Sequence, residues 1–245
     1  MKGLEMSKEM GMRLGVVIAA GGVGIRMGTG TSKQLMMLDD RPVLAHSLAV
    51  FENSSEVEEI IIVIEPEDIR RCRDEIVDKY GLRKVRAIAP GGENRALSVW
   101  NGLRELGLAT SHVLIHDGAR PLFTAELLEE GIREFEIGDC DGIVFGLPVT
   151  DTIVEVGLGN RFVARTPARS RLWAAQTPQI FKRTMLEKAY RVPPKVLAGA
   201  TDDASLVERA GGWVKMVMGS PENIKITTPV DLAIAEEILR RRVTA

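Results

Sequence analysis

The sequence lacks a surplus of charge of either sign. Its 245 residues carry 32 Lys and Arg against 34 Asp and Glu, a formal net charge of −2. That balance argues against a general nucleic-acid binder, which needs a basic excess to neutralise phosphates. Any anion site must be local. Long apolar runs are missing too: none approaches the ~20 residues that span a bilayer, so no membrane partner is expected. There are 2 cysteines, Cys72 and Cys140, without metal-type spacing. A reducing, cytoplasmic setting is the expectation. Aromatic residues are scarce, and Trp100, Trp173 and Trp213 are scattered without basic companions, which suits core or interface rather than base stacking. No repeat or low-complexity tract divides the chain. The length suffices for one good core with a small appendage. Residues 1–12 alternate charge with Met and Gly and have no apolar signal core. They read as a loose tail ahead of a single domain over 13–245.

What is present begins with Val16-Val17-Ile18-Ala19-Ala20-Gly21-Gly22-Val23-Gly24-Ile25-Arg26-Met27, followed by Ser32-Lys33-Gln34. An apolar strand ends in a glycine-rich turn, and two cations follow on a stretch of Gly, Thr and Ser. Glycines let backbone N–H groups approach an anion closely. Arg26 and Lys33 add the charge a triphosphate needs. This is not a G-x-x-x-x-G-K-[ST] loop, because Lys33 follows Ser32. The dinucleotide pattern G-x-G-x-x-G fits at Gly22 and Gly24 and fails at Met27.

Strand-like and helix-like segments then alternate. Strands are expected at 14–20, 59–64, 85–89, 112–116, 142–147, 214–217 and 224–226. Helices are expected at 42–51, 66–79, 95–106, 126–135 and 229–242. The strands are apolar on both faces, as in a parallel sheet covered by helices. The fold class is therefore α/β, with a Rossmann-like, mostly parallel sheet and helices on both faces. Residues 148–173 break the rhythm. Two short alternating runs flank a Gly-rich turn and read as a protruding β-hairpin arm. A lone hairpin is marginal in water, and a second copy of the chain is the simplest partner.

In an open parallel sheet, ligands bind beyond the carboxyl ends of the strands. The segments there are Gly21 to Lys33, Pro90-Gly91-Gly92-Glu93-Asn94-Arg95, Asp117-Gly118-Ala119-Arg120-Pro121, Pro148-Val149-Thr150-Asp151-Thr152 and Lys225-Ile226-Thr227-Thr228-Pro229. They carry the Arg, Lys, Asp and Thr residues suited to phosphate, hydroxyl and metal recognition. Gly91 and Gly92 can bring backbone groups against a flat base, and Ser98 can add a hydroxyl. A loop followed by a helix cap is the alternative. Arg95 can bond loop carbonyls or reach a ligand. Asp117, a carboxylate after an apolar strand, is a candidate Mg2+ ligand, and a turn aspartate is the alternative. Arg120 can bind a phosphate or pair with Asp117. Lys225 can contact a phosphate or point to solvent. Thr201 or Asp202 caps a helix. His46 and His116 read as structural.

At this point the chain resembles the 2-C-methyl-D-erythritol 4-phosphate cytidylyltransferase family of the non-mevalonate isoprenoid pathway. The resemblance runs from about residue 14 to 241. It rests on the first loop, Lys33-Gln34, Gly91 to Val99, His116-Asp117-Gly118-Ala119-Arg120-Pro121, Pro148 to Thr152, Leu172-Trp173-Ala174-Ala175-Gln176-Thr177-Pro178-Gln179, Thr201-Asp202-Asp203-Ala204-Ser205 and Asn223 to Pro229. It implies transfer of CMP from CTP to a polyol phosphate. Ala20, Gly21, Gly22, Gly24, Gly92, Glu93 and Ser98 would bind CTP. Arg26, Lys33 and Lys225 would be catalytic, and Asp117, Arg120, Thr152, Arg169 and Thr201 would bind the acceptor. Mg2+ would bridge triphosphate oxygens. Thr152 and Arg169 lie on an arm that in the family crosses into the partner of a homodimer. Three positions depart from many relatives: the doubled Gly21-Gly22, Glu93 where aspartate is usual, and Ser32 where proline is frequent. The alternatives are the sister activity on ribitol 5-phosphate and a non-catalytic nucleotide-binding regulator.

Overall fold

The computed structural model describes residues 12–22, 32–159 and 161–244. Residues 1–11 of the expected tail, together with Gly24 and Arg26, lie outside the described residues.

Seven strands form one sheet in the order β11-β7-β10-β6-β1-β4-β5. They are β1 (Leu14–Ala19), β4 (Val57–Ile64), β5 (Val85–Pro90), β6 (His112–Asp117), β7 (Gly142–Pro148), β10 (Trp173–Lys182) and β11 (Val214–Met218). Pairing is parallel except on the two sides of β10, which runs antiparallel between β6 and β7. The chain winds outward from β1 through β4 to β5, then returns to place β6 on the other side of β1. The order therefore reverses at β1, where a crevice opens beyond the strand ends.

Each central strand is apolar on both faces, and period-2 alternation divides its residues between two cores. Val16 and Ile18 pack with Leu44, Leu48 and Phe51 of α1 (Val43–Asn53) and with Leu128, Ile132 and Phe135 of α4 (Ala125–Ile137). Val17, Ile61 and Val63 face the other way. They meet Val99 and Leu103 of α3 (Arg95–Glu105), Leu186 of α5 (Arg183–Tyr190), Leu197 of α6 (Pro194–Ala198) and Leu206 of α7 (Asp203–Arg209). A third cluster joins Leu38 of β2 (Met37–Leu38), Val43 and Ala235 of α8 (Pro229–Thr244). β2 pairs with β3 (Arg41–Pro42).

Helix starts follow local chemistry. Asn94 accepts from Leu97 N–H (3.0 Å) and Asp202 from Ser205 N–H (3.0 Å), each supplying an acceptor that the first helical turn lacks. Asp231 accepts from the hydroxyls and N–H groups of Thr227 and Thr228, fixing the entry to α8.

Two expectations need correction. Residues 66–79 are not one α-helix: a 3-10 turn (Pro66–Asp68), α2 (Ile69–Cys72) and a π-helical turn (Arg73–Asp78) follow one another. Residues 224–226 form no strand; Ile226 N–H instead donates to Ala119 carbonyl (2.8 Å), laying the segment against the loop after β6. β10, unforeseen, fills the gap between β6 and β7. The arm pairs β8 (Glu155–Val156) with β9 (Val163–Arg165) antiparallel, joined by Arg165 and Glu155 (2.5 Å), and both strands are exposed.

Candidate active site

The crevice holds a cavity of about 240 Å³ lined by Gly21, Gly22, Lys33, Gly92, Arg95, Asp117 and Lys225, with Ala19, Gln34, Glu93, Asn94, Ser98 and Ala119 completing it. Its walls are the loops after β1, β5 and β6 and the segment before α8.

Gly92 is required by close approach, and Gly21 is closely neighboured. A side chain at Gly92 would meet Leu97 Cβ at 2.6 Å, because the loop folds tightly onto the first turn of α3. One at Gly21 would meet a Glu65 carboxylate oxygen at 3.1 Å. Glu65 follows β4, and the sequence reading did not single it out. Partial burial, helped by Glu67 and Asp68, pushes its carboxyl up from the usual range. Ser98 Oγ accepts from Gly92 N–H (2.9 Å) and donates to Asn94 carbonyl (3.0 Å). Ser98 and Asn94 thus shape the loop, and both also face the cavity.

Asp117 lies at the centre of a ring of cations. Arg95 Nε donates to its Oδ1 (3.1 Å), Lys225 Nζ to its Oδ2 (2.7 Å), and Arg120 Nε stands 3.9 Å from Oδ2. Burial alone would raise this carboxyl; Arg95, Lys225 and Arg120 outweigh it and hold the group far below the usual carboxylate range. Asp117 is therefore ionised, with both oxygens engaged. A metal ion there would have to displace a cation and face the others. Among the described residues, no three His, Cys, Asp or Glu side chains come together to hold a metal. The arrangement does not fit a resident Mg2+ on Asp117, contrary to the expectation.

Other expected residues fall in different places. Arg120 is largely buried and donates from Nη1 to Asn223 carbonyl (2.7 Å), tying down the segment that carries Lys225. Ala20 is wholly buried, and its N–H is spent on Val63 carbonyl (2.7 Å); Ala19 lines the cavity in its place. Thr152, Arg169 and Thr201 do not line it. Arg169 donates to Thr150 carbonyl (2.7 Å) within the exposed arm. His116 is fully buried, and burial pushes it down to about 4, so it is neutral at pH 7. Its Nε2 faces Arg120 carbonyl (3.0 Å) and its Nδ1 faces Thr177 Oγ1 (3.3 Å), so both ring nitrogens are used inside the protein. His46 Nε2 bonds Leu38 carbonyl (2.8 Å). Both are structural histidines, as the sequence suggests.

Residues 14–241 match the model of the 2-C-methyl-D-erythritol 4-phosphate cytidylyltransferase family. The chain belongs to that family. An enzyme of that name from Alkaliphilus metalliredigens is 46% identical over 228 residues, covering 93% of each chain. Another from Geotalea uraniireducens is 41% identical, covering 94% of this chain and 97% of the relative. Among solved structures, the 4-diphosphocytidyl-2C-methyl-D-erythritol synthase of Anaerococcus prevotii superposes with a TM-score of 0.79 at 30% identity, covering 95% of this chain and all of that one. As a cytidylyltransferase the chain is a nucleotidyl-transferring enzyme. The relatives carry the methylerythritol name, which does not favour the ribitol alternative.

Proposed function

We propose that this cytidylyltransferase moves CMP from CTP to 2-C-methyl-D-erythritol 4-phosphate in the crevice beyond β1, β5 and β6. The observation that carries the reading is the meeting of Lys33 and Lys225 with Gly21, Gly22 and Gly92 around one cavity. The triphosphate lies on the loop after β1, and the base lies against Gly92, Glu93 and Ser98. An oxygen of the acceptor phosphate attacks the α-phosphorus in line. The new P–O bond forms as the bond to the bridging oxygen breaks, and pyrophosphate leaves with that electron pair. Lys33 and Lys225 stabilise the charge that builds on the equatorial oxygens, and Arg26 joins them in this reading. The nucleophile is already an anion at neutral pH, so no general base is needed, which accords with a neutral, internally bonded His116.

Mg2+ would enter this reading with the nucleotide and would neutralise triphosphate charge, without resting on Asp117. Such sites commonly use few protein ligands. In this reading Asp117, Arg120 and Thr201 bind the acceptor. Thr152 and Arg169 serve the other copy of a homodimer through the arm. Its apolar side chains, Ile153, Val154, Val156, Leu158 and Val163, are exposed in one chain, which supports a partner there. Among the described residues no helix is long and apolar enough to cross a membrane. Cys72 and Cys140 are buried thiols, and a reducing cytoplasm completes the reading.

The test offers CTP and Mg2+ with methylerythritol phosphate or ribitol 5-phosphate, one at a time, and follows pyrophosphate release. Clear preference for the first is the expected result. Preference for the second would replace the acceptor and keep the chemistry. Release with neither would remove the enzymatic reading.

A further inference from the structure

Behind the cavity wall lies a row of charges that the transfer chemistry does not account for. Asp203, at the first turn of α7, is wholly buried. Tyr190, at the end of α5, donates its hydroxyl to Asp203 Oδ1 (2.5 Å), and Arg95 Nη1 donates to Asp203 Oδ2 (2.8 Å). Arg95 Nε then reaches Asp117 Oδ1, and Lys225 reaches Asp117 Oδ2. Asp203 and Tyr190 do not line the cavity, whereas Arg95, Asp117 and Lys225 do. The Tyr190 ring stacks on Trp100 (5.6 Å between centroids, 7° between planes), which fixes where its hydroxyl points.

Stability alone does not explain this row. A buried ion pair is often no better for stability than well-packed apolar residues of the same volume. Arg95 also keeps a buried Nη2 without a hydrogen-bond partner, a cost that a purely packing role would avoid. What the row supplies is geometry. Arginine has many rotamers, and the second carboxylate removes that freedom by holding one edge of the guanidinium while the other holds Asp117.

We propose that Asp203 and Tyr190 are positioning residues for cytidylyl transfer: by fixing Arg95 they fix Asp117, and through Asp117 the ammonium of Lys225 beside the cavity. The proposal rests on the crevice being the transfer site. Neither residue touches the reacting atoms. Their effect passes through Lys225, and a misplacement of reacting groups by about 1 Å can cost on the order of 100-fold in rate.

A double-mutant cycle against Lys225→Ala tests it, with kcat expressed per nucleotide-binding site from calorimetric titration with CTP. Asp203→Asn keeps the shape and removes the charge. Tyr190→Phe keeps the ring on Trp100 and removes only the donor. In the otherwise unchanged enzyme, Asp203→Asn should lower kcat about tenfold and Tyr190→Phe about threefold, with CTP affinity changed less than about twofold. In the Lys225→Ala background each should cost less than about twofold further, because groups acting as one unit are not additive. If Asp203→Asn does not fold, Tyr190→Phe carries the cycle alone. Fully additive losses, or unchanged kcat in the folded variants, would overturn the proposal and leave the site reading intact. Near-normal turnover of Lys225→Ala itself would overturn the site reading, and the proposal with it.

Discussion

The crevice and the arm are built on opposite plans. In the crevice, buried carboxylates are matched: Asp117 meets Arg95 and Lys225, and Asp203 meets Arg95 and Tyr190. At the arm, apolar groups are exposed, and two short strands pair only with each other. The crevice pays the desolvation of its charges within one chain, so its geometry is set before any ligand arrives. The arm leaves apolar surface in water, which is costly until something covers it. In the proposed reading, a single chain completes the crevice and a second copy would cover the arm.

The sharpest way to break this comparison is at the cations of the crevice. Lys33→Ala and Lys225→Ala should each lower turnover ~100-fold or more, as loss of one preorganised donor does. Thermal unfolding should move little for Lys33→Ala. If both variants turn over at near-normal rates in a pyrophosphate-release assay, the crevice is not the centre of the chemistry.

On the other side of the comparison, Val163→Asp should act on assembly rather than on the crevice. A charge on the exposed face of β9 would have to be desolvated in the dimer and not in the lone chain, at a cost of at least about 2 kcal/mol. Sedimentation should show the dimer dissociating at least about tenfold more readily, while CTP still binds. Unchanged assembly would move the interface elsewhere.

The sequence made the crevice more legible than its support. Each ligand loop follows an apolar strand, and in a parallel sheet strand ends converge, so Gly21, Gly92, Asp117 and Lys33 could be placed by that rule. The same rule puts Lys225 on a strand; its segment is no strand, yet it reaches the same edge because Arg120 and Ala119 hold it. β10 is hidden in the sequence because Gln176, Thr177, Pro178 and Gln179 interrupt its apolar pattern, and its register with β7 shifts between Ala175 and Gln179. Asp203 looked like part of an ordinary helix start. Its decisive partner, Arg95, is 108 residues away, and no local pattern reveals a pair so separated.

A further effect concerns the crevice's neutral neighbour. Burial lowers His116 from 6.5 to about 4, so the unfolded chain binds the extra proton first as pH falls. Stability should therefore be fully present above about pH 6.5 and decline toward pH 4, by roughly 1.4 kcal/mol per unit over that window. The depressed Asp117 acts below that, because its stabilising contribution is lost only as pH falls under the unfolded carboxylate value of 3.8. His46 and His112 are also lowered by burial and share the window, so urea unfolding of His116→Gln should show a reduced slope between pH 6.5 and 4 and keep the fall at lower pH. An unchanged slope would place the titrating group elsewhere.

The central claim is that one chain supplies the crevice and its partner supplies the arm. Mixing two inactive variants tests it most directly. Lys225→Ala spoils a crevice and Arg169→Ala spoils an arm. After unfolding and refolding together, half of randomly assorted dimers are mixed, and each mixed dimer has one crevice with Lys225 facing an arm with Arg169. Turnover should recover to roughly a quarter of the unmodified enzyme. No recovery, with mixed dimers demonstrably formed, would mean that each arm serves its own crevice and would contradict the account.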